Sequence, residues 1–229
     1  SIVYNVILQY IKDTSRRSRL LPPVCGLIGS LAVCIAGNMH YPTYKWFEPV
    51  VRKFFGMEKG SYRYWFPDAT RFIGYHPETN DKTIHEFPSY SFVLGDLHAH
   101  VVNIMFVLTV VAILFAWMVS RRNKENTGFS LAREVLNPAI ILISFFIGFF
   151  RMSNYWDFPI YYVVSGAVIL FTNIIVYNFK GKAIFVVTAV QGAFVMAVSV
   201  LTSLPFMLSF DKIASNIRLA QSHTALNQL

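Results

Sequence analysis

A predominantly apolar run at residues 101–119 contains no Asp, Glu, Lys or Arg. At about 1.5 Å of rise per residue, a helix over this run is long enough to cross the roughly 30 Å hydrocarbon core of a bilayer. Backbone N–H and C=O groups inside a membrane must find partners within the protein, which favours a helix. The run therefore predicts an integral membrane protein, and every other segment must either cross the bilayer or lie beside it.

The composition agrees with a membrane protein. Of 229 residues, 55% are hydrophobic and only 14% are charged. The formal net charge of +8 is typical of proteins that bind nucleic acid, bind acidic lipid, or carry the basic residues that set membrane topology. No basic stripe interleaved with aromatic residues lies outside the apolar runs, so nucleic acid is not an expected partner.

The apolar pattern predicts an all-α integral membrane protein with about five transmembrane helices in a single membrane domain over residues 1–229. Basic clusters flank several of these helices and are expected on the cytoplasmic side of a multi-pass cell-membrane protein. Residues 39–100 then form a long extracytoplasmic loop with short interfacial helices. The predicted spans are residues 20–38, 101–119, 138–150, 160–179 and 183–204.

Acidic residues and histidines are concentrated immediately before the apolar run at 101–119. Glu86, Asp96, His98 and His100 all lie in this approach. Ionisable groups are costly at membrane depth, so a cluster of them beside a span is a functional-site hypothesis.

Asp96, His98 and His100 have the spacing i, i+2, i+4. On a helix Asp96 and His100 share a face, whereas on an extended strand all three do. A carboxylate and imidazoles so placed can bind a divalent metal ion, which is the candidate cofactor. Alternatively, Asp96 caps the following helix and the histidines lie at the headgroup level.

Glu86 precedes Phe87 and Pro88, and the proline favours an extended backbone before it. A carboxylate held in this way can act as a general base. It can equally pair with Arg71 or Lys82 on a hydrated surface. The sequence leaves these alternatives open.

Two further groups have the spacing i, i+3, which predicts neighbours on one helical turn. Asp68 and Arg71 form the first, and Arg71 suits a phosphate or a local ion pair. Arg151, Asn154 and Asp157 form the second, at the expected outer end of the third span. Both groups are candidate substrate-binding residues.

Four stretches resemble successive motifs of the YYY-type prokaryotic membrane-protein family, a domain of unknown function that is grouped by fold with the GT-C glycosyltransferases. The resemblance extends from about Trp65 to the end of the chain. The motifs are W-F-P-D-A-T-R at 65–71, H-E-F-P-S-Y-S-F-V-L-G-D-L-H-A-H at 85–100, N-Y-W-D-F-P-I-Y at 154–161 and L-P-F-M-L-S-F at 204–210.

The resemblance implies kinship with enzymes that take a sugar from a polyprenyl-phosphate carrier at the extracytoplasmic face. In such enzymes an acidic residue of an outer loop, near the start of a span, serves the transfer, and Glu86 and Asp96 match that position. Ala99 departs from the usual D-L-H-P-H pattern. The tyrosine triplet that names the family is absent, so the chain is expected to be an internal piece whose partners include the rest of a longer polypeptide.

The leading functional hypothesis is a GT-C-like transferase. Arg71 and Arg151 hold the lipid-linked phosphate, and Asp96 or Glu86 activates an acceptor hydroxyl. His98 and His100 either assist, with His98 among the substrate-binding residues, or complete a metal site. The first alternative is a metal-dependent membrane hydrolase built on the same acidic and histidine residues. The second is a non-enzymatic membrane scaffold or lipid-binding protein.

Overall fold

The computed structural model describes residues 1–15, 18–58, 64–71, 86–122, 130–175 and 181–210. These residues are mostly helical and contain no β-strand. The chain divides into two compact units, of which unit 1 comprises Ser1–His98 and unit 2 begins at Ala99. The predicted all-α class is therefore confirmed for the described residues.

The helices are numbered in chain order. Unit 1 contains α1 (Ile2–Asp13), α2 (Leu21–Ile35), α3 (His40–Pro42), a π-helical turn (Thr43–Phe47), α4 (Glu48–Phe55), α5 (Phe66–Ala69) and α6 (Pro88–Leu94). Unit 2 contains α7 (Ala99–Arg122), α8 (Leu131–Val135), α9 (Pro138–Ser153), α10 (Asp157–Ile175) and α11 (Lys182–Ser209).

The predicted first span, residues 20–38, is a shorter helix followed by a sharp bend. Helix α2 begins with prolines in its first turn, where missing amide protons cost nothing. It passes the length and hydropathy test for a span only together with His40–Phe55, and these two segments meet at 82°. The pair is therefore either a broken span or a re-entrant loop.

Helix α4 is amphipathic, which is the property expected of the short interfacial helices predicted within residues 39–100. Pro49 lies in its first turn, which explains why it does not interrupt the helix. Arg52 and Glu48 pair on one side, while Phe54 and other large apolar side chains are exposed. Exposed aromatic groups of this kind suit the headgroup boundary of a bilayer.

Unit 2 contains three helices that are long and apolar enough to cross a membrane: α7, α10 and α11. They correspond to the predicted spans 101–119, 160–179 and 183–204, although residues 176–180 lie outside the described residues. Helix α9 starts at Pro138 as predicted, but its 16 residues extend only about 24 Å. The described residues thus hold three candidate spans, or four with the bent pair, and the count of about five is not confirmed.

Small residues allow α9 and α11 to pack closely. A Cβ on Gly148 would lie only 2.5 Å from the backbone oxygen of Ser199. The Ser199 hydroxyl donates a hydrogen bond of 2.8 Å to the carbonyl oxygen of Ser144, one turn before Gly148. Small residues four apart are a recurrent means of close helix approach in membranes. A core of buried apolar side chains from α7, α9, α10 and α11 surrounds this contact.

We predict that Gly148→Ala destabilises unit 2, because the added methyl group meets backbone that cannot move aside. Overpacking of this kind costs about 1–3 kcal/mol. The matched control is Gly166→Ala in α10, where a Cβ would have nothing within 4 Å. Thermal unfolding of the detergent-solubilised protein should show a lower midpoint for Gly148→Ala only. Equal midpoints for the two variants would contradict the close packing of α9 and α11.

Candidate functional site

The site in unit 1 is assembled on the backbone that follows α2. The Asn38 side-chain amide donates to the carbonyl oxygens of Asp68 and Arg71, the latter at 2.7 Å, and its Oδ1 accepts from the His40 amide at 2.9 Å. Gly37 lies so close that a Cβ there would be 2.9 Å from the Ala69 carbonyl oxygen. One asparagine thus ties the bend after α2 to the end of α5.

A short β-bridge brings the two motif segments together. Arg71 and Glu86 form an isolated antiparallel bridge, and the Phe87 amide donates to the Thr70 carbonyl at 2.8 Å. Farther along, the Ser89 hydroxyl donates to the Ala36 carbonyl at 3.0 Å. The start of α6 is therefore hydrogen-bonded both to the end of α5 and to the end of α2.

The bridge carries a buried ion pair. Arg71 Nη2 lies 3.3 Å from Glu86 Oε1, with side-chain exposures of 11% and 4%. Of the open alternatives for Glu86, pairing with Arg71 is the one observed, but the pair is buried and not on a hydrated surface. Lys82, the other expected partner, lies outside the described residues. Because α5 ends at Ala69, Arg71 does not share a helical turn with Asp68 as predicted.

From this pair a line of charged groups leads to the surface. His98 Nδ1 lies 3.9 Å from Glu86 Oε2, and His98 Nε2 lies 3.1 Å from Asp96 Oδ2. The Asp96 and His98 side chains are 44% and 48% exposed. The line therefore has a buried end, Arg71 and Glu86, and an accessible end, His98 and Asp96, and it joins four of the predicted site residues.

His40 and Asp68 are the other ionisable residues near the Asn38 contacts. The Trp65 amide donates to His40 Nε2 at 3.1 Å, which requires an unprotonated nitrogen there. Asp68 is buried, and its backbone carbonyl oxygen accepts a hydrogen bond from the Asn38 side-chain amide.

The predicted metal site gains no support from the geometry. Among the described residues, no three His, Cys, Asp or Glu side chains gather in a way that could hold a metal ion. Asp96 and His98 pair directly with each other, while His100 belongs to α7 in unit 2.

Unit 2 holds a second polar cluster. Asp157 Oδ2 accepts from Asn154 at 3.1 Å and from Asn103 at 2.8 Å. Arg151 lies with its guanidinium carbon 5.1 Å from the centre of the Phe158 ring. Asn154 is the C-cap that follows α9, and Asp157 begins α10, so the two are not on one helical turn as the spacing predicted. They nevertheless form a hydrogen bond.

Two asparagines that hold these clusters were missing from the sequence-based candidates. Asn103 is fully buried in α7, and its Oδ1 has no hydrogen-bond partner among the described residues. A lone asparagine in an apolar span was the available signal, because polar groups at membrane depth are rarely without function. Asn38 gave no such signal, because its partners are backbone carbonyls 30 and 33 positions away.

We predict that Glu86→Gln lowers the free energy of unfolding of unit 1, since it removes the carboxylate that pairs with the buried Arg71 guanidinium. Removal of one partner from a buried ion pair costs about 3 kcal/mol. The double variant Arg71→Met/Glu86→Leu should recover part of that loss, because an apolar pair needs no charge partner. Unfolding in mixed micelles measures both.

The matched control is Glu48→Gln, which breaks the more exposed Arg52–Glu48 pair on α4. We expect a loss of no more than about 0.5 kcal/mol for this change. Similar losses for Glu86→Gln and Glu48→Gln would contradict the prediction, because they would show that the Arg71–Glu86 pair contributes no more to stability than an exposed pair.

Comparison with known proteins adds a family. The family model described as uncharacterized membrane protein (DUF2298) matches residues 1–229. No curated protein matches the chain. No solved structure matches it either. The family match extends over the whole chain, beyond the motifs that begin near residue 65, and it gives no assignment to the GT-C glycosyltransferases. The chain belongs to the DUF2298 family of uncharacterized membrane proteins.

Proposed function

We propose that Asp96 and His98 form the acid–base centre of a GT-C-like membrane glycosyltransferase, which takes a sugar from a polyprenyl-phosphate carrier at the extracytoplasmic face. The observation that carries the proposal is the position of His98 between two carboxylates, Asp96 at 3.1 Å and Glu86 at 3.9 Å. Proton transfer needs a base within reach of a substrate and a neighbour that stabilises the proton once taken. This arrangement offers both.

The two ends of the charged line have different roles in this proposal. Asp96 and His98 are about half exposed, so a substrate hydroxyl can reach them. Glu86 and Arg71 are buried, so they orient His98 and do not bind substrate themselves. Arg71 is therefore proposed as a positioning residue, in place of the phosphate contact that its residue type suggested.

The proposed step is a displacement at the anomeric carbon of the sugar. The acceptor oxygen forms a bond to that carbon as the bond from the carbon to the phosphate oxygen breaks. Polyprenyl phosphate leaves with the electron pair of the broken bond, and the acceptor proton passes to Asp96, beside His98. The leaving phosphate needs a fixed positive charge to stabilise it.

Sequence context supports this site over the alternatives. Asp96 and His98 immediately precede α7 in the chain, and α7 is a candidate span. The motifs that contain them resemble a family grouped with the GT-C enzymes. A metal-dependent hydrolase has no assembled ligand set among the described residues to favour it. A scaffold role is tested by the experiment below.

We predict that Asp96→Asn and His98→Gln each lower the rate of sugar transfer by about 100-fold or more, because each removes a member of the acid–base pair. Binding of the donor should change by less than about twofold, since neither residue holds the phosphate in this proposal. The assay measures transfer of labelled sugar from a panel of polyprenyl-phosphate sugars by the protein in nanodiscs.

Glu48→Gln serves as the control, since it removes an acidic group of unit 1 that lies outside the charged line. The unfolding midpoints of all variants should lie close enough to that of the wild type that every variant is fully folded in the assay. Wild-type rates for Asp96→Asn would exclude the acid–base role. A wild-type protein that binds no donor of the panel would favour the scaffold.

A further inference from the structure

A cavity of about 490 Å³ lies in unit 2 between the end of α7, the short helix α8 and the start of α9. Its polar lining consists of Arg121, Arg133, Ser130 and Asn137. None of these residues takes part in the Asp96–His98 site or in the Asp157 cluster. The lining is rich in hydrogen-bond donors and contains two permanent positive charges.

Arg121 is a buried member of this lining. Only 7% of Arg121 is exposed, and its Nη1 lies 3.1 Å from Glu134 Oε1. Its Nε is buried and has no hydrogen-bond partner among the described residues. A buried donor without a partner is costly, and a ligand oxygen is one group that can satisfy it. Glu134 thus fixes the guanidinium and leaves one of its donors unused.

The other polar groups add charge and donors. Arg133 is exposed, so its charge is accessible to a ligand. The Oδ1 of Asn137 already accepts from the Ala139 amide at 2.9 Å, which caps α9 and leaves the side-chain amide nitrogen as the group that can serve a ligand. Ser130 contributes a hydroxyl. Arginine guanidinium groups bind phosphate oxygens through paired hydrogen bonds.

We propose that this cavity binds a phosphate group, supplied by the headgroup of an acidic phospholipid. The cavity begins in the last turn of α7, a candidate span, so its Arg121 lies where an apolar helix ends. Leu136 and Pro138 belong to the same lining, and both are exposed. Basic pockets at the ends of membrane helices with adjoining apolar surface are typical of acidic lipid sites. This proposal does not depend on the transferase proposal.

The test measures occupancy by native mass spectrometry of the detergent-solubilised protein with dioleoyl phosphatidic acid. We expect Arg133→Gln to lower the occupancy roughly fivefold or more. Arg122→Gln is the matched control, because it removes the same charge from the end of α7 without altering the cavity lining. It should lower occupancy by less than about twofold. Equal losses in the two variants would show general surface attraction and overturn the proposal.

A second variant and a second probe complete the test. Arg121→Lys keeps a positive charge beside Glu134 but removes the Nε donor, so it should weaken lipid binding while the unfolding midpoint stays close to that of the wild type. Inorganic phosphate, added alone, distinguishes the sources of the ligand. Binding of phosphate but not of the lipid, with loss in Arg133→Gln, would assign the site to free phosphate. Failure of both probes to bind would overturn the proposal.

Discussion

The buried ion pair between Arg71 and Glu86 is the constraint on which the candidate site depends. Charges removed from water are costly unless each meets its partner with good geometry, and here the β-bridge supplies that geometry by fixing both backbones side by side. Once Glu86 is fixed, its second carboxylate oxygen lies near His98, and His98 in turn meets Asp96 at the surface. A single buried pair therefore orients an accessible histidine and carboxylate. The hydrogen bond from the Asn38 side chain to the Arg71 carbonyl oxygen contributes to the same arrangement, because it holds the Arg71 backbone in position.

In unit 2 the bilayer sets different conditions. Apolar burial drives helix association weakly in lipid, so close contact and internal hydrogen bonds have to hold the helices together. Gly148 and Ser199 supply the contact, and Asn173 supplies hydrogen bonds to Thr188 at 3.0 Å and to Gln191 at 2.8 Å between α10 and α11. These polar side chains are buried among apolar ones, which is the reverse of the arrangement in a water-soluble bundle. The buried Arg121–Glu134 pair at the end of α7 fixes the Arg121 guanidinium in place. In our proposal, the headgroup of an acidic lipid binds beside it.

The positions of the helices were predicted better from the sequence than the contacts between distant segments of the chain. Helices α7, α10 and α11 followed from apolar runs, because length and hydropathy are local properties of a chain. The bend after α2 was not predicted, since it depends on contacts of Gly37 and Asn38 with residues 68–71. For Glu86 the sequence offered the right partner but the wrong environment, because burial is set by segments distant in the chain. Asn103 could have been noticed as the one asparagine of an apolar span, but its carboxylate partner could not be predicted, since Asp157 lies 54 positions away.

The transferase proposal requires that a donor sugar reach the accessible end of the charged line. The most direct measurement is a cryo-electron microscopy reconstruction of the protein in nanodiscs with a bound polyprenyl-phosphate sugar. We expect sugar density within about 3 Å of the Asp96 carboxylate or the His98 ring, the distance of a hydrogen bond. The same map should show Arg71 still paired with Glu86. A well-resolved donor headgroup that contacts neither Asp96 nor His98 would contradict the proposal.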